Sequence, residues 1–253
     1  MLSMQASIGA VNDLADIEAD TLGKPGKPIP AGLVTGAVAR VWATGSLALC
    51  VLLALPSGAG TVALALACLA LGYLYDLRLS RTALSWLPLA LALPLLPAFA
   101  WLGAAGDVPP GLVTLVPIAM LAGGALLVAN GVVDVERDAL AGKATVAVRI
   151  GRRRAWLAHA VTMAIAVVLA LILAPTAPEV AGQDLGGSVA LRALRTAGVP
   201  LGALAIVAGA WLLGSARPGH RERGWELEAI GTAVLGLGWL AGTALVAGVG
   251  AGT

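Results

Sequence analysis

Along most of the chain, hydrophobic residues come in unbroken blocks rather than in stripes. The blocks Ala37–Leu55, Thr61–Tyr75, Ser85–Gly103, Leu112–Val133, Trp156–Ala174, Val199–Gly214 and Ala229–Ala251 are near or above the roughly 18–20 residues that carry a helix across a bilayer. The block that starts at Thr61 is short but extends through Leu79 at some cost in polarity. Backbone groups in hydrocarbon must bond to one another, which leaves helices or a closed barrel. Strict alternation is absent and Ala, Leu and Gly dominate, so the pattern predicts helices: seven full spans, with a partial one from Met1 to about Val11. The fold class is all-α, a polytopic transmembrane bundle formed by a single membrane domain over residues 1–253.

Composition agrees with this pattern. Of the 253 residues 59% are hydrophobic and 12% charged, about half the charged share of an ordinary soluble domain. The formal net charge of +2 decides nothing, but the placement of charge does. Lys24, Lys27 and Arg40; Arg78 and Arg81; Arg137, Lys143, Arg149 and Arg152–Arg154; and Arg217, Arg221 and Arg223 fall in alternate connections. Between them, Pro56–Gly60 has no charge and Gly103–Gly111 has only Asp107. Pro175–Gly198 holds Glu179, Asp184, Arg192 and Arg195. If the spans alternate, the basic connections share one side, and the positive-inside rule makes that side cytoplasmic. An integral membrane protein of a bacterial or archaeal cell membrane is expected, with no nucleic-acid partner. Cys50 and Cys68 lie within apolar blocks without metal-ligand spacing and read as small core or lipid-facing residues. Arg152–Arg154 read as an anchor for lipid headgroups.

The polar residues that remain are not spread evenly. In VNDLADIEADTLGKPGKPIPAG, Val11–Gly32, the acids Asp13, Asp16, Glu18 and Asp20 crowd together beside a hydrophobic segment. On a helix Asp13, Asp16 and Asp20 share a face, Asn12 lies at its edge and Glu18 points away. The stretch ANGVVDVERDALAGK repeats the device: Asn130, Asp134 and Asp138 share a face and Glu136 points away. A fainter echo puts Asp20 before Gly23-Lys24 and Asp138 before Gly142-Lys143, a hint of duplication. Lys24 to Pro30, with three prolines, cannot be regular helix and predicts an ordered turn.

Aligned carboxylates repel one another, and next to lipid each is expensive. A divalent cation is the simplest counter-charge. Mg²⁺ takes oxygen ligands, keeps water and is commonly held by one or two carboxylates together with substrate phosphates. Two facing clusters can therefore clamp a diphosphate through Mg²⁺, with Asp13, Asp16, Asp20, Asp134 and Asp138 on the metal. Lys24, Lys27, Arg78 and Lys143 are within reach of phosphate oxygens in the same reading.

These residues also resemble a known family. NDLADIEAD (Asn12–Asp20) is similar to the NDxxDxxxD motif of the UbiA superfamily of intramembrane prenyltransferases. KPIPAG (Lys27–Gly32) resembles the RPLPxG stretch that follows it, with Lys27 in the usual Arg position. DVERDALAGKATVAVRIG (Asp134–Gly151) resembles the second DxxxD signature, and YLYDLRLSRTALSWLP (Tyr73–Pro88) the Tyr-plus-basic segment between them. The resemblance implies about nine helical spans around a cavity open to membrane and cytoplasm. It implies Mg²⁺-dependent transfer of a prenyl group from an allylic polyprenyl diphosphate to a lipophilic, often aromatic acceptor. In that setting Asn12, Asn130 and the five Asp residues hold the Mg–diphosphate, Lys27 and Lys143 are phosphate-side cations, and Tyr75 and Arg78 lie near the leaving group.

This chain departs from the family pattern in two places. It enters about ten residues before the first motif, so the family's first span is missing, as a misplaced start or a shortened form would give. The lysine expected after the tyrosine is absent, leaving Arg78 and Arg81. Aromatic walls must come from the Trp residues, among which Trp86 is the expected cavity residue; His159 reads as a satisfied bundle residue. A membrane terpene cyclase would use the same diphosphate site. A phosphatidyltransferase would need Asp-Gly and Ala-Arg at fixed spacing, which Asp13–Asp20 lacks. An ion-coupled transporter would place its acids near the bilayer midplane rather than at span ends.

Overall fold

The computed structural model describes residues 1–175 and 189–250. The described residues form twelve α-helices and no strand. In chain order these are α1 Leu2–Ala15, α2 Ile17–Gly23, α3 Gly36–Ala54, α4 Ala59–Leu74, α5 Leu87–Ala92, α6 Leu95–Ala105, α7 Leu115–Val133, α8 Val135–Leu140, α9 Val146–Ile150, α10 Arg152–Ile172, α11 Val189–Leu213 and α12 Pro218–Gly250. Among the described residues, seven segments are long and apolar enough to cross a membrane: Gly36–Ser57, Ala59–Leu79, Leu87–Ala105, Pro110–Val133, Arg152–Ile172, Val189–Leu213 and Pro218–Ala244. This matches the seven predicted spans, and α1 supplies the partial one.

The boundaries move where prolines and charges intervene. The third span is broken between α5 and α6, because Pro94 has no N–H to give the helix ladder and restricts the residue before it. The charged stretch before Ala229 is helix, so α12 starts eleven residues earlier than the hydrophobic block suggests. Arg192 and Arg195 lie on α11 rather than in a connection, while Glu179 and Asp184 fall outside the described residues.

Much of the exposed surface is apolar. Val41 is 73% exposed, Leu204 66% and Trp211 78%, on helices whose other sides are packed. Such a surface suits lipid, not water. The main core lies around α7, where Ile118, Ala122, Ala125 and Leu126 meet Met163, Ala166 and Ala170 of α10 and Ile206, Leu235 and Trp239 of α11 and α12. A second cluster joins Met4, Cys50, Ala65, Cys68 and Leu69, and both cysteines are buried there as free thiols. α11 and α12 approach through glycines. A Cβ at Gly202 would lie 2.5 Å from the Leu235 amide nitrogen, and one at Gly238 would lie 2.7 Å from that of Val199. Without a hydrophobic drive between helices in lipid, such close backbone packing holds the pair together.

At one end of the bundle the connections touch each other. The Ala144 amide donates to the Arg81 carbonyl at 2.8 Å, and Arg221 ahead of the last span reaches Glu136 at 2.6 Å. Arg152 donates to the carbonyls of Gly214 and Ser215 (3.5 and 3.1 Å), so this member of the arginine run caps the C-terminal end of α11, while Arg153 and Arg154 are exposed. Hence the basic connections predicted to share one side do share one end. Asp107 lies in a connection of the opposite end, where Ser57 bonds the Gly103 carbonyl.

Candidate active site

Two short breaks of the same shape build the site. α1 ends at Ala15, Asp16 adopts φ −104° and ψ 14°, and α2 begins at Ile17. α7 ends at Val133, Asp134 adopts φ −97° and ψ 7°, and α8 begins at Val135. In both, the i→i−4 ladder runs on through the break: Asp16 N to Asn12 O (3.0 Å) and Asp20 N to Asp16 O (2.8 Å), against Asp134 N to Asn130 O (3.1 Å) and Asp138 N to Asp134 O (2.8 Å). The helical phase therefore survives, and each segment presents an Asn-Asp-Asp ladder spaced by four residues. The structural pair of Asp16 and Asp20 is thus Asp134 and Asp138, and the faint sequence echo becomes a matched backbone geometry.

The two ladders line one cavity of about 340 Å³, with Asn12, Asp16 and Asp20 on one side and Asn130, Asp134 and Asp138 on the other. Lys24, Lys27, Arg137 and Lys143 line it too, so acids and bases are balanced in number. Asp20 and Asp138 are buried, 7% and 8% exposed. Lys27 bridges the first cluster, 2.6 Å from Asp20 and 2.9 Å from Asp13. Burial pulls the Lys27 ammonium down, but its hydrogen bonds to Asp20 and Asp13 outweigh this and hold its pKa above the usual lysine value. Lys143 sits 3.3 Å from Asp138. Burial pushes the Asp138 carboxyl up, and Lys143 offsets only part of that. Arg137 of α8 pairs with Asp134 at the break before it, and Arg81 lies 3.9 Å from Asp16.

Beside this cleft lies an apolar cavity of about 260 Å³, walled by Met4, Ile8, Leu71, Leu89, Leu96 and Trp225. Tyr75 and Asn130 line both spaces and mark their junction. Tyr75 opens a π-helical turn, Tyr75–Leu79, closed by the Ser80 amide on the Tyr75 carbonyl at 2.8 Å. Such turns widen a helix and often accompany functional sites.

Two expected residues lie elsewhere. Asp13 lines a separate groove with Ala6, Ala10, Pro28 and Trp42 and is tied to the cleft through Lys27. Arg78 is exposed, and Arg81 is the arginine of that segment that approaches a ladder carboxylate. Trp86 packs against Gly124, and Trp225 is the tryptophan on the apolar cavity wall. His159 is a bonded bundle residue as expected: its ring nitrogens lie 2.9 Å from the Ala125 carbonyl and 2.9 Å from Glu228.

Sequence reasoning missed Asp76. This buried acid accepts from Asn12 Nδ2 at 3.0 Å, which turns the Asn12 carbonyl oxygen away from Asp76. The only sequence signal was its place between Tyr75 and Arg78.

Among the described residues, no three His, Cys, Asp or Glu side chains gather into a ready-made cage for a metal. The donors facing the cleft are carboxylate and amide oxygens on opposed walls. Such a set fits a hard cation that keeps water and shares substrate oxygens, and it does not fit a closed thiolate or imidazole site.

Comparison with known proteins gives the same direction. The family model described as the UbiA prenyltransferase family matches residues 1–228. The chain is 32% identical over 210 residues to digeranylgeranylglyceryl phosphate synthase of Methanopyrus kandleri, covering 82% of this chain and 74% of that protein. Among solved structures, a UbiA homologue from Aeropyrum pernix K1 superposes with TM-score 0.71 at 19% identity, over 93% of this chain and 84% of the other. One from Archaeoglobus fulgidus bound to GPP and Mg²⁺ superposes with TM-score 0.66 at 20% identity, over 97% and 84%. With the motifs, the fold and these matches in hand, the chain belongs to the UbiA prenyltransferase family and is an integral, multi-pass membrane prenyltransferase.

Proposed function

We propose that this protein transfers a prenyl group from an allylic polyprenyl diphosphate to a lipophilic acceptor within the membrane, with Mg²⁺, on the cytoplasmic side. The observation that carries the reading is the shared cleft. Two Asn-Asp-Asp ladders face each other across it, and it adjoins an apolar cavity through Tyr75 and Asn130. A diphosphate belongs in the polar space and a prenyl chain in the apolar one, with the bond between them at the junction. A solved A. fulgidus homologue is bound to GPP and Mg²⁺, the two kinds of ligand this reading calls for.

Asp16, Asp20, Asp134 and Asp138 would hold Mg²⁺, which when bound supplies charge to neutralise the departing diphosphate. Asp13 would act from the edge through Lys27. Lys24, Lys27 and Lys143 offer ammonium donors to the phosphate oxygens, and Asn12 and Asn130 offer amides. The allylic C–O bond breaks and its electron pair leaves with the diphosphate. Tyr75 lines both spaces at their junction, where its aromatic face would stabilise the allylic cation. The acceptor then gives its electron pair to the allylic carbon and loses a proton. Arg78, exposed outside the cleft, can serve only as a peripheral charge in this geometry.

The identity with a digeranylgeranylglyceryl phosphate synthase puts a glyceryl phosphate prenyl ether at the head of the acceptor candidates, ahead of the aromatic class. The test is purified protein in detergent with Mg²⁺ and geranylgeranyl diphosphate, with and without a glyceryl phosphate ether or an aromatic acceptor, followed by diphosphate release and product mass. Acceptor-dependent release supports transfer. Release of diphosphate with a cyclised hydrocarbon and no acceptor would replace the reading with a terpene cyclase.

A further inference from the structure

Glu136 stands between the two carboxylates of the second ladder and takes no part in lining the cleft. On α8 it is two residues from Asp134 and two from Asp138, so it projects from the opposite side of the helix. Its side chain is 59% exposed, yet its partner Arg221 is 1% exposed, with Nη2 donating to Glu136 Oε2 at 2.6 Å. The Arg221 Nε is buried without a hydrogen-bond partner. A buried guanidinium so incompletely satisfied is costly. The hydrogen bond that the guanidinium does make reaches Glu136.

The surroundings make that reach effective. Arg221, Trp225 and Glu228 follow one another at i, i+4 and i+7, on one face of α12. Glu228 shares a hydrogen bond with His159 of α10, whose other ring nitrogen bonds the Ala125 carbonyl of α7. Trp225 lines the apolar cavity. Thus this face of α12 is braced against the bundle before it reaches α8. The six-residue α8 is far too short to hold itself. At its start Val135 packs onto a cluster with Ala129, Val132 and Leu213, and Glu136 extends the hold into the helix.

We propose that Arg221 is a positioning residue for the second carboxylate ladder. By holding Glu136 on the outer side of α8, it fixes the roll of that helix and so turns Asp134 and Asp138 into the cleft. The inference rests on the diphosphate reading of the cleft for its effect on Mg²⁺, but not for its effect on α8.

The test uses the full chain in detergent, as parent, as Glu136→Ala, as Glu136→Ala/Arg221→Met, and as Glu222→Gln, an exposed neighbour on α12. Amide hydrogen exchange over residues 134–143 should speed up by about tenfold in Glu136→Ala, leave residues 12–24 unchanged and match the parent in Glu222→Gln. Thermal shifts with MgCl₂ and inorganic diphosphate should show a half-saturating Mg²⁺ raised by about tenfold in Glu136→Ala, with diphosphate release from geranylgeranyl diphosphate recovered at saturating Mg²⁺. The double variant should show no larger shift than the single, since both changes cut one contact. If the uncompensated Arg221 keeps Glu136→Ala from folding, the double variant carries the same measurements. Unchanged exchange over 134–143, a loosened α8 with an unmoved Mg²⁺ midpoint, or a larger shift in the double variant than in the single overturns the proposal. A parent protein with no Mg²⁺-dependent shift would instead sink the diphosphate reading, and the exchange measurement alone would then decide whether Arg221 holds α8.

Discussion

Asp13 and Asp16 are three residues apart, and on an ideal helix they share a face, but the structure gives them different neighbours. Asp16 lines the cleft opposite Asp134; Asp13 lines an outer groove and is tied to Lys27. The two should therefore respond differently to loss of charge. Asp16→Asn and Asp134→Asn are expected to lower Mg²⁺-dependent diphosphate release by about 100-fold or more, the scale of removing a main electrostatic stabiliser. Asp13→Asn should cost about tenfold or less, since Lys27 keeps Asp20 as a partner. Steady-state release on protein with normal detergent elution checks both, and an Asp13→Asn loss as deep as that of Asp16→Asn would return Asp13 to the metal. At this scale the acids were legible because helical phase survives the breaks at Asp16 and Asp134. Asp76 and Arg221 were not. Their partners Asn12 and Glu136 lie 64 and 85 residues away, and no local period can announce a contact of that range.

At the scale of elements, the α11–α12 pair shows what small residues do in a membrane bundle. On α12, Gly224, Gly231 and Gly238 recur every seven residues and face α11. A Cβ at Gly202 would meet the Leu235 amide nitrogen at 2.5 Å and the Gly231 carbonyl oxygen at 2.6 Å, atoms that cannot swing aside. Gly202→Ala should destabilise the protein by about 1–3 kcal/mol, as overpacking does. Gly236, also on α12, has nothing within 4 Å of a Cβ, so Gly236→Ala should be neutral or stabilising by up to about 1 kcal/mol from helix propensity. Thermal unfolding in one detergent compares the two, and equal effects would contradict the close approach. The broken third span carries a similar lesson: Pro94 was visible in the hydrophobic block, yet its block length alone reads as one helix.

For the whole molecule, the alternation of charged and uncharged connections predicts its orientation. The acidic ladders and the basic connections gather at one end, and Asp107 lies at the other. By the positive-inside rule the first end is expected to face the cytoplasm. A cysteine introduced at Asp107 should be labelled by a membrane-impermeant maleimide in intact cells, and one at Gly219 only after permeabilisation; both positions are exposed, and Cys50 and Cys68 are buried. The reverse pattern would invert the bundle.

Read from its residues alone, the chain is a helical membrane bundle, because hydrophobic length and backbone bonding in lipid leave helices or a barrel and the lack of alternation removes the barrel. The same residues show that each motif aligns an Asn with carboxylates, since helical phase is local. That Asp16 and Asp20 face Asp134 and Asp138, that Asp13 lies outside them, and that Arg221 reaches α8 emerges from the folded chain and not from any local pattern. Those outcomes depend on how separate helices pack, and packing is set by shape and by pairings between residues far apart in the chain.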